Sequence, residues 1–378
     1  MKGLFSANCV IHQKLKPGGL VYVSYNCLPG WAAEAPLRKL LLTLVEGADG
    51  DSPQRSQEAL RSLKELIGAK LRYFTANPAA VTAVDAYARG PSNYLAHEFL
   101  NQAWELFYSI DVADEMAEAD VRYLGSATLV DNHTTLVVDA AAADAVATLA
   151  TNRQRQLAID FAVNQRFRRD VFVRDPDDRG STETGQFLRD AVIGCLATSR
   201  LSHKVKVPRG EISFQEDFID DLRALMLRGS MPMGEVVVAL GGRGRDAQEI
   251  ARNVLFLVAA GMLTPFAAAR RSDMAARPSR PANALVERVL ASVVAHRTER
   301  AVPSEVLGNG VPIRPIEALA VTEWLAGAHG VEVLAARLES GVTEMSPSVA
   351  RDRKDLRVVA EDVTERLVPS LARLGLIV

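Results

Sequence analysis

Hydrophobic residues follow a helical spacing over most of the chain. Leucines recur every three or four residues in 37–44, and a second apolar set repeats that spacing in 60–71, which predicts two helices between 36 and 76. Similar spacing predicts further helices at 93–108, 112–119, 140–167, 214–227, 247–260, 286–296, 316–325, 331–338 and 358–374. The pattern therefore indicates a mainly α protein with small β elements (α+β).

Strand-like runs are few and short. Pro17, Gly18 and Gly19 predict a turn, because proline presets one dihedral and glycine tolerates the next. The residues that follow, Leu20–Tyr25, are β-branched, aromatic or otherwise apolar and predict a strand. Shorter strands are predicted at 123–130, 135–138 and 170–174. These strands are too few for a large sheet.

Two polar segments without apolar periodicity predict linkers. Residues 175–185 contain proline, glycine and acidic residues, and residues 267–281 are rich in Arg, Pro and Ala, a composition typical of loops. We therefore expect domains at 1–35, 36–175, 186–266 and 282–378.

Composition narrows the function classes. The 378 residues carry a net charge of -2, which disfavours binding of nucleic acid through bulk phosphate neutralisation. Cys9, Cys27 and Cys195 are too few and too scattered for a disulfide framework or a zinc site. No signal-peptide or membrane-span pattern occurs at the N-terminus. We therefore expect the protein to reside in the reducing cytoplasm.

Several sequence blocks carry a family resemblance. LKPGG followed by an apolar strand resembles the fifth-strand region of class I methyltransferases. VSYNCLPGW at 23–31, YLAHEFLNQAWELFY at 94–108, YLGSATLVDNH at 123–133 and FAVNQRFRRDVFVR at 161–174 resemble, in order, the methyltransferase regulatory domain family. That family accompanies bacterial methyltransferases of the protein-lysine type that use S-adenosylmethionine (SAM). PRGEISF and LVAAGMLTPF are similar to the winged-helix-like C-terminal part of those proteins.

The resemblance implies an architecture. Residues 1–35 would be a remnant of the class I methyltransferase domain and 36–175 a helical middle domain. Residues 186–266 would be winged-helix-like, and 282–378 a C-terminal helical or α+β domain. In the intact family, a neutral acceptor nitrogen attacks the methyl group of SAM in line with the departing sulfur, and positioning supplies most of the catalysis.

The resemblance also implies that the cofactor site is incomplete. The glycine-rich turn and the acidic residue that grip the cofactor would both lie upstream of Leu15. We therefore expect the chain alone to bind no cofactor and to be the regulatory and substrate-recognition portion of a SAM-dependent protein methyltransferase. Whether it is itself an enzyme stays open, as does a reading frame that is truncated upstream.

One glycine-rich segment competes with that interpretation. Val236–Arg245 reads VVVALGGRGR, an apolar run followed by glycines and a helix, but its glycine spacing is loose for a cofactor loop. A winged-helix turn is the preferred interpretation. The alternative function is a non-enzymatic protein-binding module with a winged-helix domain. Protein is preferred to DNA as its partner, because the candidate recognition helix 246–260 contains a single basic residue, Arg252.

Candidate substrate-binding residues fall into two groups. Tyr25, Asn26 and Trp31 follow the carboxyl end of a strand, where open α/β sheets bind ligands, although a structural turn explains them equally well. His97 and Glu98 lie together on a predicted helix, where a structural role is favoured over general acid–base chemistry. The sequence assigns no catalytic residue, cofactor-binding residue or metal ligand.

Three arginines lie close together near residue 168. Arg166, Arg168 and Arg169 are interpreted as a solvated helix end in preference to an anion site. The expected partner is a protein substrate or the missing catalytic domain, with nucleic acid disfavoured and no membrane association. Self-association through the exposed strand is a further prediction, because a truncated sheet would leave Val21 and Val23 without cover.

Overall fold

The chain divides into two compact units. A computed structural model describes residues 10–89, 101, 104–176, 180–196, 201–242, 244–271, 278–342 and 356–378. Unit 1 is Met1–Asp177 and unit 2 is Asp178–Val378. Helices dominate both units and the strands are short, so the predicted class, mainly α with small β elements, is confirmed.

A three-stranded antiparallel sheet organises unit 1. Its strands are β1 (Leu20–Asn26), β2 (Val121–Ser126) and β3 (Phe167–Arg174), in the order β1-β3-β2. The glycine turn before β1 has a positive φ of 74° at Gly18, whose N–H donates to the carbonyl of Arg174 at 2.7 Å. The predicted first strand is confirmed, and its partner is the strand most distant from it in the sequence of this unit.

A helical segment follows β1. Its helices are α1 (Ala35–Glu46), α2 (Ser52–Gly68), α3 (Arg72–Ala76) and α4 (Pro78–Arg89). A reciprocal capping box between Asp51 and Gln54 starts α2, because each side chain satisfies a backbone N–H that the helix leaves free. The leucines predicted to line one face lie in a common core, at Leu37, Leu41, Leu60 and Leu63.

The second half of unit 1 surrounds β2 and β3. It contains α5 (Ser109–Ala117), a 3₁₀ turn (Leu129–Asn132), α6 (Thr134–Val137), α7 (Ala140–Ala147) and α8 (Asn152–Ala162). The strand predicted at 135–138 is wrong, because the Asn132 side chain bonds both backbone groups of Ser126 at 2.8 Å and turns the chain into a helix. The helix predicted at 93–108 lies mostly outside the described residues.

Unit 2 begins with four helices, a β-hairpin and a small sheet. Its first elements are α9 (Ser181–Asp190), β4 (Val192–Gly194), β5 (Lys204–Val207), β6 (Gly210–Ser213), α10 (Glu216–Met226), β7 (Gly229–Pro232), α11 (Met233–Gly241), α12 (Ala247–Ala259), β8 (Thr264–Pro265) and β9 (Arg270–Arg271). Strands β5 and β6 form a hairpin, and the others form a sheet in the order β8-β4-β7-β9. The linker predicted at 267–281 thus contains a short strand.

A second group of elements completes unit 2. It comprises α13 (Ala284–His296), the hairpin strands β10 (Arg300–Ser304) and β11 (Asn309–Ile313), α14 (Pro315–Leu325), α15 (Val331–Val342), α16 (Leu356–Asp362), a π-helical turn (Val363–Leu367) and α17 (Val368–Arg373). Their apolar faces share one large core. The helices predicted at 286–296, 316–325 and 331–338 are confirmed.

The two halves of unit 2 share three local features. In each half, a hairpin leads directly into a helix, and a later helix ends at a glycine with positive φ, Gly261 at 73° and Gly375 at 69°. Each glycine precedes an extended segment that pairs antiparallel with an earlier part of its half, β8 with β4 and Ile377 with Pro281.

Two negative findings apply to the described residues. None of their helices combines the length and the apolar character needed to cross a membrane. No group of three or more His, Cys, Asp or Glu side chains among them could hold a metal ion.

Candidate functional site

Strand pairing places three buried polar side chains on one face of the sheet. Arg168 and Asp170 alternate along β3, and Tyr25 of β1 lies opposite Arg168 in the register. Because side chains alternate between the faces of a strand, all three point to the same side, where each is at most 7% exposed. The sheet thus carries charged groups in its interior at the carboxyl end of β1.

Hydrogen bonds connect these groups to α8. The hydroxyl of Tyr25 donates to Oδ2 of Asp170 at 2.6 Å, and Nε of Arg168 donates to the same oxygen at 2.9 Å. Nη1 of Arg168 donates to Oδ1 of Asp160 at 2.6 Å, and the hydroxyl of Ser109 donates to the other oxygen of Asp160 at 2.5 Å. Arg168 therefore lies between two buried carboxylates.

The remaining nitrogen of Arg168 is also bonded. Nη2 donates to the hydroxyl of Tyr123 at 3.1 Å and to Oε1 of Gln156 at 3.0 Å. We call the complete set the Arg168 network, which consists of Tyr25, Ser109, Tyr123, Gln156, Asp160, Arg168 and Asp170. A buried charge is tolerated when it is paired and hydrogen-bonded, and here all three guanidinium nitrogens have partners.

Burial and charge set the protonation states in the network. Burial raises the pKa of Tyr25, and the negative charge of Asp170 raises it further. Burial raises the pKa of Tyr123 to about 12. For Arg168, burial alone would lower the pKa, but Asp160 and Asp170 outweigh it and the net shift is upward. The tyrosines therefore stay neutral and the arginine stays charged at neutral pH.

A cavity of about 240 Å³ lies beside the network. Ser109, Tyr123, Gln156, Arg168 and Asp170 form its polar wall. Ile110 and Ala113 of α5 supply apolar surface, and an ion pair between Asp114 and Arg153 stands at its edge. The network thus has one side turned toward a space that a small ligand could fill.

A separate cluster surrounds Trp31. The indole N–H of Trp31 donates to the carbonyl of Arg166 at 2.8 Å, and the Arg166 guanidinium lies 4.0 Å from the centre of the Trp31 ring. Arg166 also pairs with both carboxylate oxygens of Glu34, which accepts a hydrogen bond from the hydroxyl of Tyr87. We call these four residues the Trp31 cluster. The cluster joins the N-terminus of α1 and the C-terminal part of α4 to the residue that precedes β3.

The structure separates the residues that were predicted as a substrate site. Tyr25 belongs to the Arg168 network, Trp31 belongs to the Trp31 cluster, and the carbonyl of Asn26 accepts a hydrogen bond from the N–H of Phe107 at 3.1 Å. His97 and Glu98 lie outside the described residues. A substrate role for these five residues stays a prediction.

Sequence reasoning missed the central residues of the site. The sequence predicts a solvated helix end for Arg166, Arg168 and Arg169. This prediction is wrong, because Arg168 and Arg169 lie in β3 and only 7% of Arg168 is exposed. Asp160 and Asp170 were not singled out. The available signal was an arginine and an aspartate two positions apart at the start of a predicted strand segment, a spacing that places both on one face.

The glycine-rich segment with Gly241, Gly242 and Gly244 does not have the form of a cofactor loop. Such a loop lies between a strand and a helix, whereas these glycines end or follow α11, in which the run Val236–Gly241 is helical. The cofactor-loop interpretation of this segment is therefore wrong, while the winged-helix assignment of the surrounding region stays a prediction.

Comparison with known proteins identifies part of unit 1. Residues 91–174 match a family described as a predicted methyltransferase regulatory domain. An uncharacterised protein of Synechocystis sp., sll1526, is 27% identical over 375 residues, which cover 97% of this chain and 73% of that protein. An uncharacterised Rickettsia prowazekii protein, RP789, is 26% identical over 122 residues, 32% of this chain and 22% of its own length.

The fold is similar to that of solved structures. PKMT2 from Rickettsia typhi, solved in complex with AdoHcy, matches with a TM-score of 0.63 at 15% identity, covering 98% of this chain and 77% of its own. A second structure of PKMT2 from Rickettsia typhi gives the same TM-score at 14% identity, covering 99% of this chain and 78% of its own. At this identity the similarity concerns the fold.

Proposed function

We propose that the chain is the regulatory and substrate-recognition portion of a SAM-dependent protein methyltransferase, because residues 91–174 match the family of predicted methyltransferase regulatory domains. Its neighbour PKMT2 is solved with AdoHcy, the form of SAM that lacks the methyl group. The proposal gives this chain the task of positioning an acceptor and leaves cofactor binding to another part of the assembly.

One observation carries the proposal. All members of the Arg168 network except Tyr25 fall within the segment 91–174, and Tyr25 lies at the carboxyl end of β1. The hydrogen bond between Tyr25 and Asp170 ties the family-matched segment to β1. We infer that an acceptor is positioned beside this network.

Two measurements test the proposal. Calorimetric titration of the purified chain with SAM is expected to give no binding at micromolar concentrations. Adding the chain to the part of the Synechocystis relative that it does not cover is expected to increase transfer of labelled methyl groups to protein, and the variant Arg168→Leu is expected to lose that increase while Arg169→Leu keeps it. Micromolar SAM binding by the chain alone would contradict the division of labour proposed here.

A further inference from the structure

The strand β1 lies at an edge of the sheet of unit 1. In the order β1-β3-β2, β1 pairs with β3 along its whole length, and its other side faces away from the sheet. Among the described residues, backbone hydrogen bonds reach that other side only at its carboxyl end, where Phe107 forms an isolated parallel bridge with Cys27. The segment Leu20–Tyr25 therefore presents an open edge.

The hydrogen-bond pattern shows which residues of β1 face this open edge. One step beyond the last pair of the register, the N–H of Cys27 donates to the carbonyl of Arg166 at 2.8 Å. Bonded and non-bonded pairs alternate along an antiparallel ladder, so Leu20, Tyr22 and Ser24 direct their N–H and carbonyl groups away from β3. These three residues form a row of donors and acceptors to which another strand can bond.

The side chains at the open edge are apolar. Leu20 is 60% exposed and Tyr22 is 57% exposed, while Val21 and Val23 on the other face of the strand pack against the core. Edge strands are usually protected by a charged residue, a proline or a short length, but Leu20–Asn26 is seven residues long and contains no charged residue and no proline. This is the composition of a strand that lies inside a sheet.

The relatives indicate what could lie beside β1. The chain covers 73% of the Synechocystis protein sll1526 and 77% of PKMT2 from Rickettsia typhi. Roughly a quarter of each relative therefore lies outside the matched part, a length that can hold several strands and helices.

We propose that the open edge of β1 binds a β-strand from the part of the methyltransferase that corresponds to this outside quarter. The incoming strand is apolar, bonds to the backbone of Tyr22 and its outward neighbours, and covers the side chains of Leu20 and Tyr22. The backbone bonds fix its position, and the burial of apolar surface stabilises the contact. This contact presupposes the proposed function, because it treats the chain as one portion of a larger enzyme, and it identifies the surface at which the portions join.

Co-expression tests whether the contact forms. The full chain is produced together with the part of the Synechocystis relative that it does not cover, and we expect an equimolar complex in analytical ultracentrifugation. The absence of a complex would overturn the proposal. A dimer of the chain alone, with the Tyr22 amide protected from hydrogen exchange, would overturn it too, because a second copy would then fill the edge.

Hydrogen exchange resolved to single residues locates the contact. The amides of Tyr22 and Ser24 are expected to exchange rapidly in the chain alone and to become protected in the complex. The amides of Val23 and Tyr25, which bond to β3, serve as internal controls and are expected to be protected in both states. A complex that leaves the exchange of Tyr22 and Ser24 unchanged would overturn the proposal.

Substitutions separate the open edge from the rest of the sheet. Leu20→Lys places a charge on the edge strand and is expected to weaken the complex about tenfold or more. Leu124→Lys is the matched control, since Leu124 is 58% exposed on β2 at the opposite edge, and it is expected to leave the complex unchanged. Tyr22→Pro removes an outward N–H without breaking a bond to β3 and is expected to abolish the complex. If Tyr22→Pro does not fold, the two lysine variants decide, and equal effects of both would overturn the proposal.

Methyl transfer by the same complexes separates this contact from the proposed function. A complex that depends on Leu20 and Tyr22 but transfers no methyl groups to protein would contradict the proposed function and leave the contact established. Methyl transfer that Leu20→Lys and Tyr22→Pro do not diminish would overturn the contact and leave the proposed function intact.

Discussion

Arg168 forms ion pairs with two buried carboxylates of unit 1, those of Asp160 and Asp170. Replacing it with leucine would leave Asp160 and Asp170 as buried carboxylates without their cation, and breaking a buried pair in this way costs about 3–5 kcal/mol. We expect Arg168→Leu to lower the free energy of unfolding by that amount. Urea unfolding followed by the fluorescence of Trp31 and Trp104, in a Trp324→Phe background, measures it.

The neighbouring arginine provides the control. Arg169 lies on the opposite, exposed face of β3 and contacts the ring of Phe167 at 5.0 Å, an interaction worth about 0.5–1 kcal/mol at an exposed site. Arg169→Leu is expected to cost no more than that. Equal losses for both variants would show that the ion pairs of Arg168 contribute nothing beyond strand packing.

Tyr123 links the network to pH. Burial raises its pKa to about 12, whereas an unfolded tyrosine ionises near pH 10. A raised folded pKa contributes stability that is fully present below pH 10 and is lost as the pH rises through about 12. The difference in absorbance at 295 nm between the protein and its Tyr123→Phe variant should therefore show no ionisation of this tyrosine at pH 10.5. Ionisation there with retained structure would contradict its burial.

At the scale of elements, the connection after β1 depends on a close backbone approach. A Cβ added at Gly30 would lie 2.4 Å from the carbonyl oxygen of Gln165 and 2.5 Å from that of Asn164, so Gly30→Ala must displace the segment before β3. Overpacking of this kind costs about 1–3 kcal/mol. Urea unfolding is expected to show that loss.

A second glycine gives the opposite expectation. A Cβ at Gly68, in the last turn of α2, meets nothing within 4 Å, and replacing a helical glycine with alanine stabilises by about 0.5–1 kcal/mol. Gly68→Ala is therefore expected to raise the free energy of unfolding slightly. If Gly30→Ala and Gly68→Ala both lower the free energy of unfolding by similar amounts, the close contact at Gly30 does not explain its effect.

Elements could be predicted from the sequence wherever one local pattern decides them. The strand Leu20–Asn26 and the helix Pro315–Leu325 follow from turn residues and apolar spacing. The site could not be predicted, because Tyr25 and Asp170 are 145 positions apart and meet only through the pairing of β1 with β3. An arginine in a strand usually indicates an exposed face. Asp170, two positions from Arg168, is the local signal for pairing, and nothing local indicates the second ion pair, with Asp160.

At the scale of the molecule, the division into two units predicts separate unfolding transitions. Leu63 in unit 1 and Leu338 in unit 2 are both fully buried, and replacing a buried leucine with alanine costs about 2–5 kcal/mol. Differential scanning calorimetry should show two transitions, with Leu63→Ala lowering the midpoint of one and Leu338→Ala that of the other. Each variant thereby serves as the control for its counterpart, since the substitution is identical. If both variants shift a single common transition, the two units unfold as one cooperative body, and the loss of either core is felt throughout the chain.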